Sequence, residues 1–234
     1  MARLARLSAA DEMHYVRLKA KSDITLIPSQ EDVGALFNIF SQATAKTGTE
    51  IAAYVIFPDS IDMLLRPRGS AKALSSFVQS VCRLYSYYFN ETYELGGSIW
   101  HGRFSSSIIG ADAFVLKAMV YMESLPRIRD ISAPERYLWS SCRHHLGLRQ
   151  TSFLSETPAY MNLGETETSR RRRYKSLLQK PVDTEFACLL EKNVGRGWPV
   201  GDAAFLSTLE AEAGRIRPLR SPGRPKRVSG ESSL

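Results

Sequence analysis

Residues 51–66 read IAAYVIFPDSIDMLLR. The apolar run from Ile51 to Phe57 is strand-like, and Pro58-Asp59 follows it with the two residue types that favour a tight turn. Proline presets φ, and aspartate bonds its own backbone. Ser60 to Arg66 then returns as a second strand, so the stretch predicts a β-hairpin. A hairpin needs further strands and a helical cover to be stable in water, and the flanking sequence supplies both.

Upstream, Met13 to Lys19 (MHYVRLK) alternates with period two, placing His14, Val16 and Leu18 on one face and Tyr15, Arg17 and Lys19 on the other. Between this strand and the hairpin, Ser29 to Asp32 forms a capping-box-like start. Val33, Leu36, Phe37, Phe40 and Ala43 follow at helical spacing, with Gly48 as the stop. Downstream, Ser70 caps a helix whose stripe is Leu74, Phe77, Val78, Val81, Leu84, Tyr85 and Tyr88. Arg103 to Ile109 reads as a fourth strand, and Asp112 opens a helix that Pro126 is expected to end at Leu125. The order β-α-β-β-α-β, plus one helix, predicts an α+β fold: a ferredoxin-like antiparallel sheet with helices on one face.

After Pro134 the signals shorten. Tyr137 to Ser141 begins a short helical segment, and residues 151–168 read as loop. Arg170 to Leu178, Asp183 to Lys192 and Asp202 to Ala213 read as short helices. The expected organisation is a core domain over 1–132, a small helical C-terminal region over 133–213, and a basic tail over 214–234 containing Pro218, Pro222, Gly223 and Pro225.

The 234 residues carry 31 Lys+Arg against 24 Asp+Glu, and the tail from Arg215 supplies most of the resulting +7. Such a concentrated excess points to a polyanionic partner, usually nucleic acid. Hydrophobic residues at 44% exclude a disordered chain, and no apolar run approaches the roughly 20 residues of a membrane helix. The N-terminus lacks an apolar signal region, and three cysteines without CxxC spacing argue against a disulfide framework or a zinc site. A reduced, cytoplasmic setting is expected.

Several fragments in fixed order resemble the REP-associated tyrosine transposases, of the HUH superfamily of single-strand DNA nicking enzymes. They are Met1-Ala2-Arg3, His14-Tyr15-Val16, Ala53 to Asp59, Tyr88-Phe89-Asn90 and Trp100 to Phe104. Tyr121 to Pro126, Trp139 to Arg143, Arg196 to Gly201 and Gly223 to Lys226 complete the set. The resemblance implies a bacterial DNA transposition protein acting on single-stranded, hairpin-forming repeats, with no membrane and no small-molecule substrate. It further implies a Mg²⁺ or Mn²⁺ ion that polarises the scissile phosphate. A helix tyrosine attacks phosphorus and becomes joined to the 5′ end.

On that resemblance Tyr121 is the inherited nucleophile. The family's Pro-Asn-His-hydrophobic-His strand is matched here by Pro58-Asp59-Ser60-Ile61-Asp62, so both metal histidines are replaced, by Ser60 and Asp62. The family's further helix ligand falls on Leu125. Serine is a poor ligand, whereas Asp62 is a hard oxygen donor. Two readings stay open: a carboxylate site built from Asp59, Asp62 and Glu123, or a DNA-binding relative that has lost its metal and no longer nicks. An RNA-recognition sheet shares the element order but lacks the basic-Gly-aromatic signature.

For phosphate contacts the candidates near the tyrosine are Arg103, Lys117, Arg127 and Arg129. Arg170, Arg171, Arg172 and Arg173 form a basic run in which Tyr174 offers a stacking ring. Gly223-Arg224-Pro225 with Lys226 and Arg227 resembles an AT-hook core for the minor groove. His144 and His145 are expected at the surface.

Overall fold

A computed structural model describes residues 7–213 of the chain. Arg224, Lys226 and Arg227, and with them the AT-hook expectation, lie outside the described residues. The elements are β1 (Met13–Lys19), α1 (Gln30–Thr47), β2 (Thr49–Ile56), β3 (Ser60–Pro67), α2 (Lys72–Tyr93), β4 (Ser105–Ile109) and α3 (Asp112–Ile128). Then come α4 (Cys142–His145), α5 (Pro158–Met161), α6 (Glu167–Gln179), α7 (Thr184–Arg196) and α8 (Ala203–Ala213). The four strands form one antiparallel sheet in the order β2-β3-β1-β4, the split βαβ arrangement expected from the element order.

Capping decides where α1 sits. Ser29 accepts from Asp32 N–H, and the Asp32 carboxylate accepts from Ser29 N–H at 2.7 Å. The same buried carboxylate accepts from the Tyr88 and Tyr93 hydroxyls of α2, at 3.1 and 2.7 Å. One aspartate thus starts α1 and ties it to α2. Both helices cover one face of the sheet, over Val16, Leu18, Tyr54, Ile56, Ile61, Met63 and Leu65.

The opposite face carries Tyr15, Ala53, Val55 and Leu64, and α3 with the C-terminal helices closes it in a second hydrophobic cluster. That cluster draws on Met119 and Met122 of α3 and equally on Tyr160, Tyr174, Phe186, Leu190 and Val194. Residues after 133 therefore share a core with residues before it. Every α3 residue from Tyr121 to Pro126 is buried, as expected for a helix held between a sheet and a further layer.

Local differences from the sequence reading have physical causes. Helix α3 continues through Pro126 to Ile128. A proline in the last turn removes only one bond, and Arg129 N–H still reaches Leu125 O at 2.9 Å. The short helix expected to begin at Tyr137 starts at Cys142, as α4, and Tyr137 to Ser141 runs alongside β2. Ile56 N–H donates to Trp139 O and Ser141 N–H donates to Tyr54 O, both at 2.9 Å, so the segment covers an edge that would otherwise be open. His145 is buried rather than at the surface. The fourth strand begins at Ser105 rather than Arg103, and residues 151–168 include the one-turn α5. The ring of Phe205 in α8 lies where a Cβ on Gly110 would stand, so only glycine admits the contact.

His14, buried in β1, has Nδ1 facing Glu12 O at 2.9 Å and Nε2 accepting from Ala9 N–H at 3.3 Å. Burial lowers its pKa from 6.5 to about 4. The folded state therefore holds the neutral ring, while the unfolded chain takes up a proton below pH 6.5. Stability is full above that pH and declines as pH falls towards 4. Urea denaturation is expected to lose about 2 kcal/mol between pH 7 and pH 5. His14→Asn removes most of that slope, leaving the smaller share of His144, whose pKa burial also lowers.

Candidate active site

Tyr121 lies one turn beyond Ala118 and one before Leu125 on the α3 stripe, which aims it at the sheet face carrying Asp62. The alternation of β3 puts Ser60, Asp62 and Leu64 on this same face. Tyr121 and the Ser60 and Asp62 positions thus lie on the same side of the sheet. What lies between them is not legible in the sequence.

Asp62 stands directly opposite Arg17 of β1 in the antiparallel register. Arg17 Nε donates to Asp62 Oδ1 at 2.5 Å, and its two terminal nitrogens donate to the Glu191 carboxylate of α7 at 2.6 and 2.8 Å. The Tyr121 hydroxyl donates to Glu191 Oε1 at 2.8 Å. Arg17 Nη2 also reaches the hydroxyl of Tyr15 at 3.2 Å. One guanidinium therefore joins two carboxylates in the planar fork geometry that suits it, and the phenol hangs from the outer one.

The electrostatics follow from that arrangement. Full burial pushes the Asp62 carboxyl up, against the pull of Arg17. Burial also pushes Glu191 upward, but the Arg17 guanidinium and the Tyr121 hydroxyl outweigh it and hold the carboxyl below its usual range. Tyr121 is raised above the ordinary phenol value by burial first and by its bond to Glu191 second. Tyr15, fully buried beside Asp62, is also raised well above it. The proton therefore stays on Tyr121, and its acceptor is a weakened base.

Other residues expected in a metal site are engaged elsewhere. Ser60 donates to Asp59 Oδ1 at 3.0 Å and accepts from Arg129 Nη2 at 3.3 Å. Arg129 also pairs with Asp59 at 2.9 Å, and its guanidinium lies over the Phe57 ring at 3.9 Å. Glu123, two residues from Tyr121, points into the second core. There it accepts from Ser141 Oγ and from the Tyr174 hydroxyl at 2.8 Å, and bonds His145 Nδ1 at 2.7 Å. The expected Asp59–Asp62–Glu123 grouping is not formed, because α3 turns Glu123 away from the strand. Leu125 is buried. Among the described residues no three His, Cys, Asp or Glu side chains are placed to share an ion. Both strand positions are instead engaged by arginine, so this donor set does not fit a divalent cation.

Several expected phosphate contacts also have protein partners. Lys117 pairs with Asp183, the N-cap of α7, at 3.0 Å. Arg127 donates to Leu178 O and Lys180 O at 2.7 and 3.2 Å, satisfying carbonyls at the end of α6. Arg170 reaches the carbonyls of Gly164 and Glu165, Arg171 pairs with Glu167, and Arg173 reaches Leu163 O. Tyr174, expected as a stacking platform, is wholly buried and bonded to Glu123. Arg103, Arg172 and Arg173 remain exposed.

The structure of a REP-associated tyrosine transposase bound to a REP hairpin superposes at TM-score 0.55 with 15% sequence identity, covering 68% of this chain and 96% of that one. The chain has the tyrosine transposase fold. A Deinococcus radiodurans protein assigned as a transposase aligns at TM-score 0.36 and 14% identity over 56% of this chain and 98% of its own, too loosely to carry an argument. No family model and no curated protein matches the sequence. Among the described residues no helix is long and apolar enough to cross a membrane.

Sequence reasoning does not single out Arg17, Tyr15 or Glu191 as members of the site. The available signal is a cation in β1 (Arg17) and the single anion of β3 (Asp62), each flanked by apolar residues, which calls for mutual pairing. Asp62→Ala leaves the guanidinium with one carboxylate and opens a buried gap. Chemical denaturation is expected to show a loss of about 3–5 kcal/mol. Tyr121→Phe, which removes one hydrogen bond to a charged acceptor, is expected to cost about 1.5–3 kcal/mol.

Proposed function

We propose that this chain is a DNA-binding protein built on the tyrosine transposase fold, in which an arginine has taken over the cation's position and strand nicking is lost. The observation that carries the reading is Arg17 bridging Asp62 and Glu191 while Tyr121 gives its proton bond to Glu191. A nucleophilic tyrosine needs its phenol deprotonated and a Lewis acid on the phosphate. Here the phenol is raised, its acceptor is lowered, and the ligand strand is neutralised internally.

DNA as the partner is supported by three features. The similar fold is that of a protein bound to a REP hairpin. The chain carries +7 overall. Exposed cations include Arg172, Arg173 and Lys175 on α6, and Lys19, Lys21 and Arg103 about the β1–β4 end of the sheet. Phosphate neutralisation by such residues makes binding salt-dependent. Single-stranded hairpins are the form we propose for the ligand, by analogy with the bound neighbour, and transposition ancestry accounts for the fold.

A second reading is favoured by one contact. The 2.8 Å bond from the Tyr121 hydroxyl to Glu191 is also the geometry of a nucleophile and its general base. In that case Arg17 would stabilise the phosphate charge without metal, and Tyr121 would keep its inherited role.

Incubation with 5′-extended single-stranded hairpins separates the two readings. The expected outcome is binding that weakens with salt, with no protein–DNA adduct in Mn²⁺ or in EDTA. An adduct that Tyr121→Phe abolishes establishes the second reading. Neutralising Arg172, Arg173 and Lys175 together is expected to flatten the plot of log K against log salt by about 0.7 for each phosphate that is no longer neutralised.

A further inference from the structure

The Glu191 carboxylate is held as an anionic ligand is held. Two parallel N–H bonds from Arg17, at 2.6 and 2.8 Å, meet its two oxygens, and the Tyr121 hydroxyl adds a third donor at 2.8 Å. A guanidinium fork recognises carboxylate and phosphate by the same bidentate geometry. Asp62 fixes that fork from behind through Nε, and the β1–β3 register fixes Asp62. The donors are therefore preorganised by the sheet, whereas the carboxylate that fills them comes from a separate helix.

The carboxylate is also the exposed member of the group. The side chain of Glu191 is 39% exposed, against 12% for Arg17 and none for Asp62. Exposed Lys19, the next residue on the same face of β1 beyond Arg17, contributes to holding Glu191 ionised. Helix α7 does not depend on Glu191 for its place. Phe186, Leu190 and Val194 are in the core, Asn193 donates to Pro199 O at 2.8 Å, and Asp183 caps the helix and pairs with Lys117.

We propose that Arg17 and Tyr121 form a binding site for a phosphoryl oxyanion, closed in this structure by the Glu191 carboxylate as an internal substitute ligand. The oxyanion is the phosphodiester of a nucleic-acid strand approaching past Lys19, and in this the inference rests on the DNA-binding reading above. Swinging Glu191 towards solvent opens the site without moving α7. A phosphate then receives the same three donors, and no covalent bond is made or broken.

The test uses the full chain and two probes: inorganic phosphate, followed by phosphorus-31 line broadening, and a labelled single-stranded oligonucleotide, followed by anisotropy. Glu191→Gln keeps the shape and removes the competing charge. It is expected to tighten phosphate binding at least tenfold, and oligonucleotide binding likewise. Adding Arg17→Gln to that variant returns both to the wild-type level or below. Glu185→Gln, an exposed change on the same helix, is expected to shift either by less than twofold, which separates the site from the general field of a basic protein.

Equal phosphate affinity in wild type and a folded Glu191→Gln overturns the proposal, as does equal tightening by Glu185→Gln. Should Glu191→Gln fail to fold, Glu191→Asp shortens the reach by one methylene and is expected to give a smaller tightening, and no change there refutes the site. Tightened phosphate binding without any oligonucleotide binding upholds the site and removes the DNA-binding reading. Oligonucleotide binding that Glu191→Gln leaves unaltered does the reverse.

Discussion

A buried carboxylate facing a largely covered guanidinium across two adjacent central strands sets the terms for the rest of this molecule. Asp62 has no exposure, and its charge is tolerable only because Arg17 lies opposite in the register and bonds it at 2.5 Å. Arg17 in turn has more donors than one carboxylate can take. Its terminal nitrogens require an acceptor on the covering layer, and Glu191 of α7 supplies it. Once Glu191 is fixed, the Tyr121 hydroxyl has its partner. The engagement of Glu191 and the state of the phenol thus follow from one pair of opposite charges.

The second layer is fastened by the same means. Lys117 and Arg127, on the helix that carries Tyr121, hold the start of α7 and the end of α6. These are the points where helix dipoles and free backbone groups favour charged or hydrogen-bonding partners. Glu123 faces the other side of α3 and gathers Ser141, His145 and Tyr174 from later segments. A helix with cations and a carboxylate so distributed clamps the C-terminal region onto the sheet. Polar residues whose types suit a metal or DNA are, in the folded chain, what closes the second face.

The sequence is readable where local physics dominates. Alternation in Met13 to Lys19, the Pro58-Asp59 turn, the Ser29–Asp32 capping box and the stripes of α1 and α2 yield the sheet and its first cover, because each depends on neighbours within a few residues. Tyr121 and Asp62 are legible on the same terms, one as a helix position and one as a strand position sharing a face with Ser60. The short helix expected from Tyr137 starts only at Cys142, because the residues before it bond to β2, some eighty residues earlier, and nothing local announces that. Tyr174 departs from its reading for a related reason. Beside four arginines it resembles a stacking ring, but the helix period turns it inward to Glu123.

Local pattern and composition by themselves determined an antiparallel βαββαβ core, a basic chain, and the faces on which a helix tyrosine and a strand aspartate would lie. Which groups neutralise that strand was decided only by the tertiary fold. Arg17 lies 45 residues from Asp62 in the chain and Glu191 lies 174 from Arg17. A charge pair formed across such separations exists only after the sheet has set its register and α7 has docked. Until then the same side chains are solvated independently, and their residue types carry no record of the partners they will find.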